Sequence, residues 1–207
     1  MLPRFLYPFL VYRSFIFPFL TLSAITVPCW LIVRLFVLRT RARPLSFSHE
    51  ILLLVFVLYL SGVASATLGP NHGSSARAEA TGVRLQPSLA ALTCTSTGLR
   101  SGSRAQFFCK HNAVGNVLLF IPLGILLPLV WMRLRFWSGM LIAIALSAGI
   151  EILQYLSRTW GSYRLADVND VILNSAGAAF GLVLVMLPRM RQGGAVSAAP
   201  DGKRAPD

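Results

Sequence analysis

The chain has 207 residues, of which 55% are hydrophobic and only 13% carry a charge. Soluble globular domains carry about 25% charged residues, so this composition excludes an ordinary soluble enzyme and also a disordered chain. The net charge is +12, from 19 Lys and Arg against 7 Asp and Glu. The basic residues flank apolar runs and form no groove-reading motif, which predicts contact with membrane lipids and no nucleic-acid partner.

Five apolar stretches are long enough, or nearly so, to cross a membrane, since a hydrocarbon core of about 30 Å requires roughly 20 residues of helix. Helices are expected because backbone polar groups in lipid must form their hydrogen bonds within the segment. The sequence lacks the ten-residue segments of alternating apolar and polar residues that would indicate a β-barrel. The predicted fold class is therefore all-α, a polytopic transmembrane helical bundle of about five spans. In chain order the spans are residues 15–38, 51–68, 114–132, 136–156 and 168–187.

The regions between and around the spans divide the chain into three parts. Residues 1–49 contain an aromatic segment, expected to lie in the membrane interface, and the first span. Residues 50–187 form a transmembrane domain with an extramembrane loop at 69–113, in which a short helix is expected near residues 87–92. Residues 188–207 are predicted to be a disordered cytoplasmic tail, because they are rich in Gly, Ala and Pro.

The arginine distribution predicts the orientation of the bundle. Seven arginines near span ends fall on one side, which the positive-inside rule assigns to the cytoplasm. We therefore expect a multi-pass plasma-membrane protein with its N-terminus outside and its C-terminus cytoplasmic. These arginines are Arg39, Arg41, Arg43, Arg133, Arg135, Arg189 and Arg191.

Two of the three cysteines, Cys94 and Cys109, fall in the long loop on the predicted outer side. That side is oxidising, so a disulfide between them is favoured over two free thiols. Closing a loop of this length would stabilise the fold by about 3 kcal/mol in the chain-entropy model.

Charged and amide side chains inside spans are costly and are functional candidates by default. In the fourth span, Glu151 and Gln154 are three residues apart and share one helical face. The fifth span carries a continuous stripe whose lower half is a small-xxx-small surface suited to close helix packing. The stripe runs in steps of three and four residues through Asp167, Asp170, Asn174, Gly177 and Gly181.

The polar residues of the different spans all lie toward the same face of the membrane. We therefore predict that they converge in one ligand-binding pocket at the outer leaflet. The alternative is that the amides and acids only join helices to one another, with Arg164 paired to Asp167 or Glu151. The predicted ligand-binding set is Asn116, Glu151, Gln154, Arg164, Asp167, Asp170 and Asn174.

Three motifs occur in a fixed order along the last three spans. They are N-x3-F-x-P-L-G at 116–124, S-x3-E-x2-Q at 147–154, and R-x2-D-x2-D-x3-N-x2-G-x3-G at 164–181. Together they resemble the VanZ-like family of integral membrane proteins, and the resemblance covers residues 50–187. The resemblance implies a function at the cell envelope, and the family name is associated with resistance to glycopeptide antibiotics, notably teicoplanin. The resemblance implies no particular chemical reaction. The long Cys-containing loop and the aromatic N-terminus depart from the family pattern.

A non-enzymatic envelope factor is the first function that these residues allow. Its pocket would bind a lipid headgroup, a lipid-linked wall precursor or an amphiphilic drug such as a lipoglycopeptide. Arg164 would hold a phosphate or carboxylate, while Gln154 and Asn174 would orient it.

Two further functions stay open. The first is a metal-dependent intramembrane enzyme acting on a polyprenyl phosphate-type lipid, with Glu151, Asp167 and Asp170 as catalytic candidates. In that case Asp167 and Asp170 would bind a divalent cation, and no other cofactor is expected. The second is a transporter or flippase, which would require an oligomer because five spans without a repeat do not build alternating access.

Overall fold

Six α-helices and two short strands make up the parts of the chain that the structure describes. The computed structural model describes residues 15–40, 46–68, 83–95, 103–157 and 166–197. Five of the helices are long and apolar enough to cross a membrane, which confirms the predicted all-α bundle of five spans. In chain order the elements are α1 (Phe17–Thr40), α2 (Phe47–Leu68), β1 (Val83–Arg84), α3 (Leu89–Leu92), α4 (Arg104–Val130), α5 (Phe136–Leu156), β2 (Ala166–Asp167) and α6 (Val168–Ser197).

Several helices extend beyond the apolar stretches that predicted them. Helix α4 begins at Arg104 because the Ser103 side chain caps it, accepting a hydrogen bond of 3.2 Å from the Gln106 amide. The last residues of the expected 69–113 loop are therefore helical. Hydropathy detects only the apolar part of a helix, whereas backbone hydrogen bonds continue into polar turns.

Two helices also extend across the expected limits of the tail and of the first domain. Helix α6 continues to Ser197, so residues 188–197 are helical and only residues 198–207 of the expected disordered tail lie outside the described residues. Helix α2 begins at Phe47, which places the expected boundary after residue 49 inside a helix. The predicted interfacial segment before residue 15 also lies outside the described residues.

The closest helix packing joins α4 and α6 through glycines. A Cβ atom added to Gly181 would lie 3.0 Å from the Cα atom of Gly124 and closer still to the Ile121 carbonyl oxygen. One added to Gly177 would overlap the carbonyl of Val117. The glycine half of the α6 stripe is therefore a packing surface that brings two backbones together. Around it lie the fully buried side chains Phe120, Leu123, Leu127, Ala178 and Leu182.

Helix α1 packs against α2 and is held there by polar contacts. The guanidinium of Arg34 pairs with Glu50, and its Nε atom donates a hydrogen bond of 2.7 Å to Oε2. Closer to the N-terminus of α1 and the C-terminus of α2, the Thr26 and Ser61 hydroxyls lie 2.8 Å apart and form a second contact between the two helices. Pairing neutralises two charges that would be costly at the edge of the hydrocarbon region.

The described part of the long loop folds back onto the end of the bundle where α4 and α6 begin. Strand β1 pairs with β2 in parallel, with Val83 opposite Ala166. The Ser88 amide donates a hydrogen bond of 3.0 Å to the Asn169 side chain in α6. The predicted cysteine pair is joined by a disulfide, in which the Cα atoms of Cys94 and Cys109 are 5.8 Å apart. These contacts fasten the loop to α4 and α6.

Removing this disulfide is expected to destabilise the protein. In a Cys94→Ser/Cys109→Ser variant, the loss of a cross-link between residues 15 apart should lower the free energy of unfolding by about 3 kcal/mol. Thermal unfolding in detergent measures the change. Cys29→Ser is the matched control because that cysteine is free and exposed. Equal melting temperatures for the double variant and the control would contradict the prediction.

Candidate functional site: a polar cavity between four helices

A cavity of about 780 Å³ opens where α2 and α5 end and where α4 and α6 begin. Six of the seven predicted ligand-binding residues line it, together with Thr67, His111 and Asn112. The seventh, Arg164, lies outside the described residues, so its contact with a ligand stays a prediction. The six are Asn116, Glu151, Gln154, Asp167, Asp170 and Asn174.

Two of the acids form a hydrogen-bonded wall at the start of α6. Glu151 is only 8% exposed, and its Oε2 atom accepts a hydrogen bond of 2.9 Å from the Asp167 amide. The Asp167 carboxylate in turn accepts bonds of 3.0 and 2.6 Å from the backbone and side-chain nitrogens of Asn169. Carboxylates are favoured near a helix N-terminus because the helix dipole and free N–H groups face them.

Residues that sequence reasoning missed complete this wall. Among the described residues, Arg84 of β1 pairs with Asp167, with 3.2 Å between Nη1 and Oδ2. The predicted pairing of Arg164 with Asp167 or Glu151 stays a prediction, because Arg164 lies outside the described residues. Asn169 is 3% exposed and links Asp167 to the loop residue Ser88. Neither pairing has a local signal, since each joins segments more than 80 positions apart in the chain.

Amides line the other sides of the cavity. The Gln154 side chain donates a hydrogen bond of 2.9 Å to the Thr67 carbonyl, so that it covers the last turn of α2. Asn112 lies 3.5 Å from the Asp170 carboxylate across the mouth between α4 and α6. Asn174 donates to the Ser147 hydroxyl at 2.9 Å. Each side chain therefore joins two helices and also faces the cavity.

Two amide atoms have no hydrogen-bond partner within the described part of the chain. They are Asn174 Oδ1, on a residue that is 3% exposed, and Asn116 Nδ2. Leaving a buried polar atom unpaired costs about 1–3 kcal/mol, so helix bonding alone does not account for these amides. Both residues line the cavity. The Asn174 oxygen gives a bound group an acceptor at the inner end, while the Asn116 side chain lies next to the Asp170 carboxylate.

The charges of the cavity determine what it can hold. Its described lining contains three carboxylates, from Glu151, Asp167 and Asp170, and no lysine or arginine. Such a surface complements hydrogen-bond donors, including hydroxyl and ammonium groups. The catalytic candidates thus share the cavity, but no three His, Cys, Asp or Glu side chains in the described ranges are grouped to hold a metal ion.

The proline-containing motif at 116–124 lines the cavity at Asn116 and then packs α4 against α6. Phe120 and Leu123 are fully buried, and Gly124 lies against α6. Helix α4 continues through Pro122, and the hydroxyl of Tyr59 donates a hydrogen bond of 2.7 Å to the Leu119 carbonyl one turn earlier. This bond joins α2 to α4 one turn before the proline.

Comparison of the sequence with known proteins identifies the family of the chain. The VanZ/LLP1 family model matches residues 47–189, a range that contains every residue lining the cavity. The chain belongs to the VanZ/LLP1 family. One relative in sequence is Protein VanZ of Enterococcus faecium, which is 32% identical over 74 residues, covering 36% of this chain and 44% of that protein. The matched segment thus spans less than half of that relative, and no solved structure matches the chain.

Family membership and the five apolar helices together establish a multi-pass membrane protein of the VanZ/LLP1 family. The three motifs that carried the resemblance have distinct structural positions in this family member. The second and third motifs supply six of the thirteen described lining residues, including all three carboxylates, and the first supplies Asn116 and the packing surface of α4.

Proposed function

We propose that this VanZ/LLP1-family protein binds the polar headgroup of an amphiphile in the cavity, at the outer leaflet of the plasma membrane. The observation that carries the proposal is the inner end of the cavity, where buried Asn174 presents an unpartnered oxygen beside Asp170. The cavity volume of about 780 Å³ lies within the range of roughly 300–1,000 Å³ typical of ligand sites.

The chemistry of the lining favours a headgroup rich in hydrogen-bond donors. Carboxylates and amide oxygens accept bonds from sugar hydroxyls, peptide amides and ammonium groups. Aminophospholipid headgroups, lipid-linked wall precursors and lipoglycopeptides all carry such donors. Binding of a precursor or of the drug itself would alter susceptibility to glycopeptides.

The positions of the arginines support an outer-leaflet location. Arg133, Arg135 and Arg189 lie near the helix ends opposite the cavity, the side that the positive-inside rule assigns to the cytoplasm. The Cys94–Cys109 disulfide lies in the loop at the cavity end, and disulfides persist on the oxidising side of a membrane. Both features favour the N-terminus outside and the C-terminus inside.

Binding to purified protein in nanodiscs tests the proposal. The probes are phosphatidylethanolamine, a lipid-linked wall precursor and teicoplanin, each titrated against the wild type and Asp170→Asn. Removing the carboxylate charge should weaken binding of the cognate probe about tenfold, the loss of about 1.4 kcal/mol expected for one charge-assisted hydrogen bond.

Ser175→Ala is the matched control, because Ser175 lies on α6 and, among the described residues, its hydroxyl bonds only the Val171 carbonyl of the same helix. Its affinity and melting temperature should equal those of the wild type. If Asp170→Asn keeps wild-type affinity for every probe that binds, the cavity is not the binding site.

A further inference from the structure

An apolar groove of about 360 Å³ lies directly beside the polar cavity. It runs between α5, the first turn of α6 and β1. Two of its residues, Glu151 and Asp167, also line the cavity, so the two spaces share one wall. Arg84, the partner of Asp167, also lines the groove. The other lining residues are apolar or aromatic: Val83, Leu85, Ala148, Ile152, Tyr155, Ala166, Val168 and Val171.

The shared wall is a single layer of hydrogen-bonded and ion-paired side chains. It consists of the 2.9 Å hydrogen bond from the Asp167 amide to Glu151, with the Arg84–Asp167 ion pair above it. Asp170 and the lining amides belong to the cavity alone, whereas beyond Glu151, Asp167 and Arg84 the groove side continues as aliphatic and aromatic side chains. A change from polar to apolar surface across a single hydrogen bond matches the junction between the headgroup and the chain of an amphiphile.

The loop makes this groove different from an ordinary furrow between two membrane helices. Pairing of β1 with β2 places Val83 and Leu85 over the groove, although these side chains are 46% and 75% exposed. Ile152 on α5 is 59% exposed on the same groove. Aliphatic side chains from a loop and from a helix therefore surround a space that no described part of the protein fills.

We propose that the cavity and the groove form one amphiphile site, in which the groove holds the hydrocarbon chain of the molecule whose headgroup occupies the cavity. This inference rests on the proposed headgroup binding and extends it. A headgroup held beside the Glu151–Asp167 wall must leave its chain in an apolar surrounding, and the groove is the apolar surface that begins at that wall. The ligand class is then a lipid with a donor-rich headgroup and an acyl or prenyl chain.

Photo-crosslinking in phosphatidylcholine vesicles tests the assignment. The two probes are phosphatidylethanolamine and a lipid-linked wall precursor, each carrying a diazirine within its hydrocarbon chain. Labelled positions are then mapped by mass spectrometry. We expect labels at Ile152, Tyr155 and Val171, and a loss of at least fivefold in Ala148→Phe, which fills the groove with a ring.

Gly149→Phe is the matched control, because it places the same ring one residue away, where a Cβ meets no atom within 4 Å. It should keep wild-type labelling. Ile152→Asn, at an exposed position, supplies a second groove variant that leaves the core unchanged and should also lose labelling.

The outcomes separate the two proposals. If Asp170→Asn abolishes labelling but Ala148→Phe and Ile152→Asn leave it unchanged, headgroup binding stands and the groove assignment is overturned. If labelling of the groove is unaffected by Asp170→Asn, the chain is not tethered to a headgroup in the cavity and both proposals fail.

Discussion

Replacing Gly177 with leucine is expected to lower the free energy of unfolding by about 3 kcal/mol, the upper end of the usual cost of overpacking. A Cβ at this position would overlap the backbone carbonyl of Val117 in α4. A carbonyl within a helix cannot rotate aside as a side chain can, so the two helices must separate. Separation would also move Asn174, one turn away, out of reach of the Ser147 hydroxyl that it now contacts at 2.9 Å. The variant should therefore lose ligand binding together with stability.

Gly149→Ala is the control for a change at a helical glycine. A Cβ there meets no atom within 4 Å, so the substitution should be neutral or stabilise the helix by about 0.5–1 kcal/mol. Melting temperatures in the same detergent compare the two variants. If Gly177→Leu had the same melting temperature as Gly149→Ala, α4 and α6 would not be in backbone contact.

Replacing Glu151 with leucine is expected to be the most damaging single change to the site. The variant leaves the Asp167 amide without its 2.9 Å acceptor and removes a negative charge from the N-terminus of α6. An unsatisfied buried donor costs about 1–3 kcal/mol, and the wall between cavity and groove would open. We expect a lower melting temperature and no detectable binding of the nanodisc probes.

Glu151→Gln distinguishes the hydrogen bond from the charge. A glutamine side chain keeps an acceptor oxygen for the Asp167 amide, so it should retain most of the stability lost in Glu151→Leu. Binding of a cationic headgroup should still weaken, because the carboxylate charge is gone. If Glu151→Gln and Glu151→Leu were equally unstable, the charge rather than the hydrogen bond would hold α6 in place.

Much of the cavity followed from span assignment and helical period. Glu151 and Gln154 end one span, and Asp167, Asp170 and Asn174 begin the next, so antiparallel neighbours place them at the same end. The repeat of three and four residues then puts the α6 residues on one face, where the structure has the polar half in the cavity and Gly177 and Gly181 against α4. The depth of a residue in the membrane and the helix face on which it lies depend only on its position within its own helix, so both can be predicted from the sequence.

Contacts between distant segments carried no such signal. Arg84 pairs with Asp167 only because β1 lies beside β2, and Tyr59 reaches the Leu119 carbonyl only because α2 packs on α4. An arginine in a polar loop and a tyrosine in an apolar span look alike in sequence whether or not they have partners. The groove was invisible for the same reason, since its wall combines a loop strand with two helices.

Hydropathy and spacing in the chain determined the five membrane helices and the end of the bundle at which the acids and amides collect. Those properties depend on the helical repeat and on the thickness of the bilayer, which act on each segment separately. The tertiary structure alone decided that Glu151 and Asp167 form a wall, that Arg84 neutralises Asp167, and that a hydrocarbon groove adjoins the polar cavity. These features depend on which helix faces meet and where the loop crosses them, which the packing of the whole bundle determines.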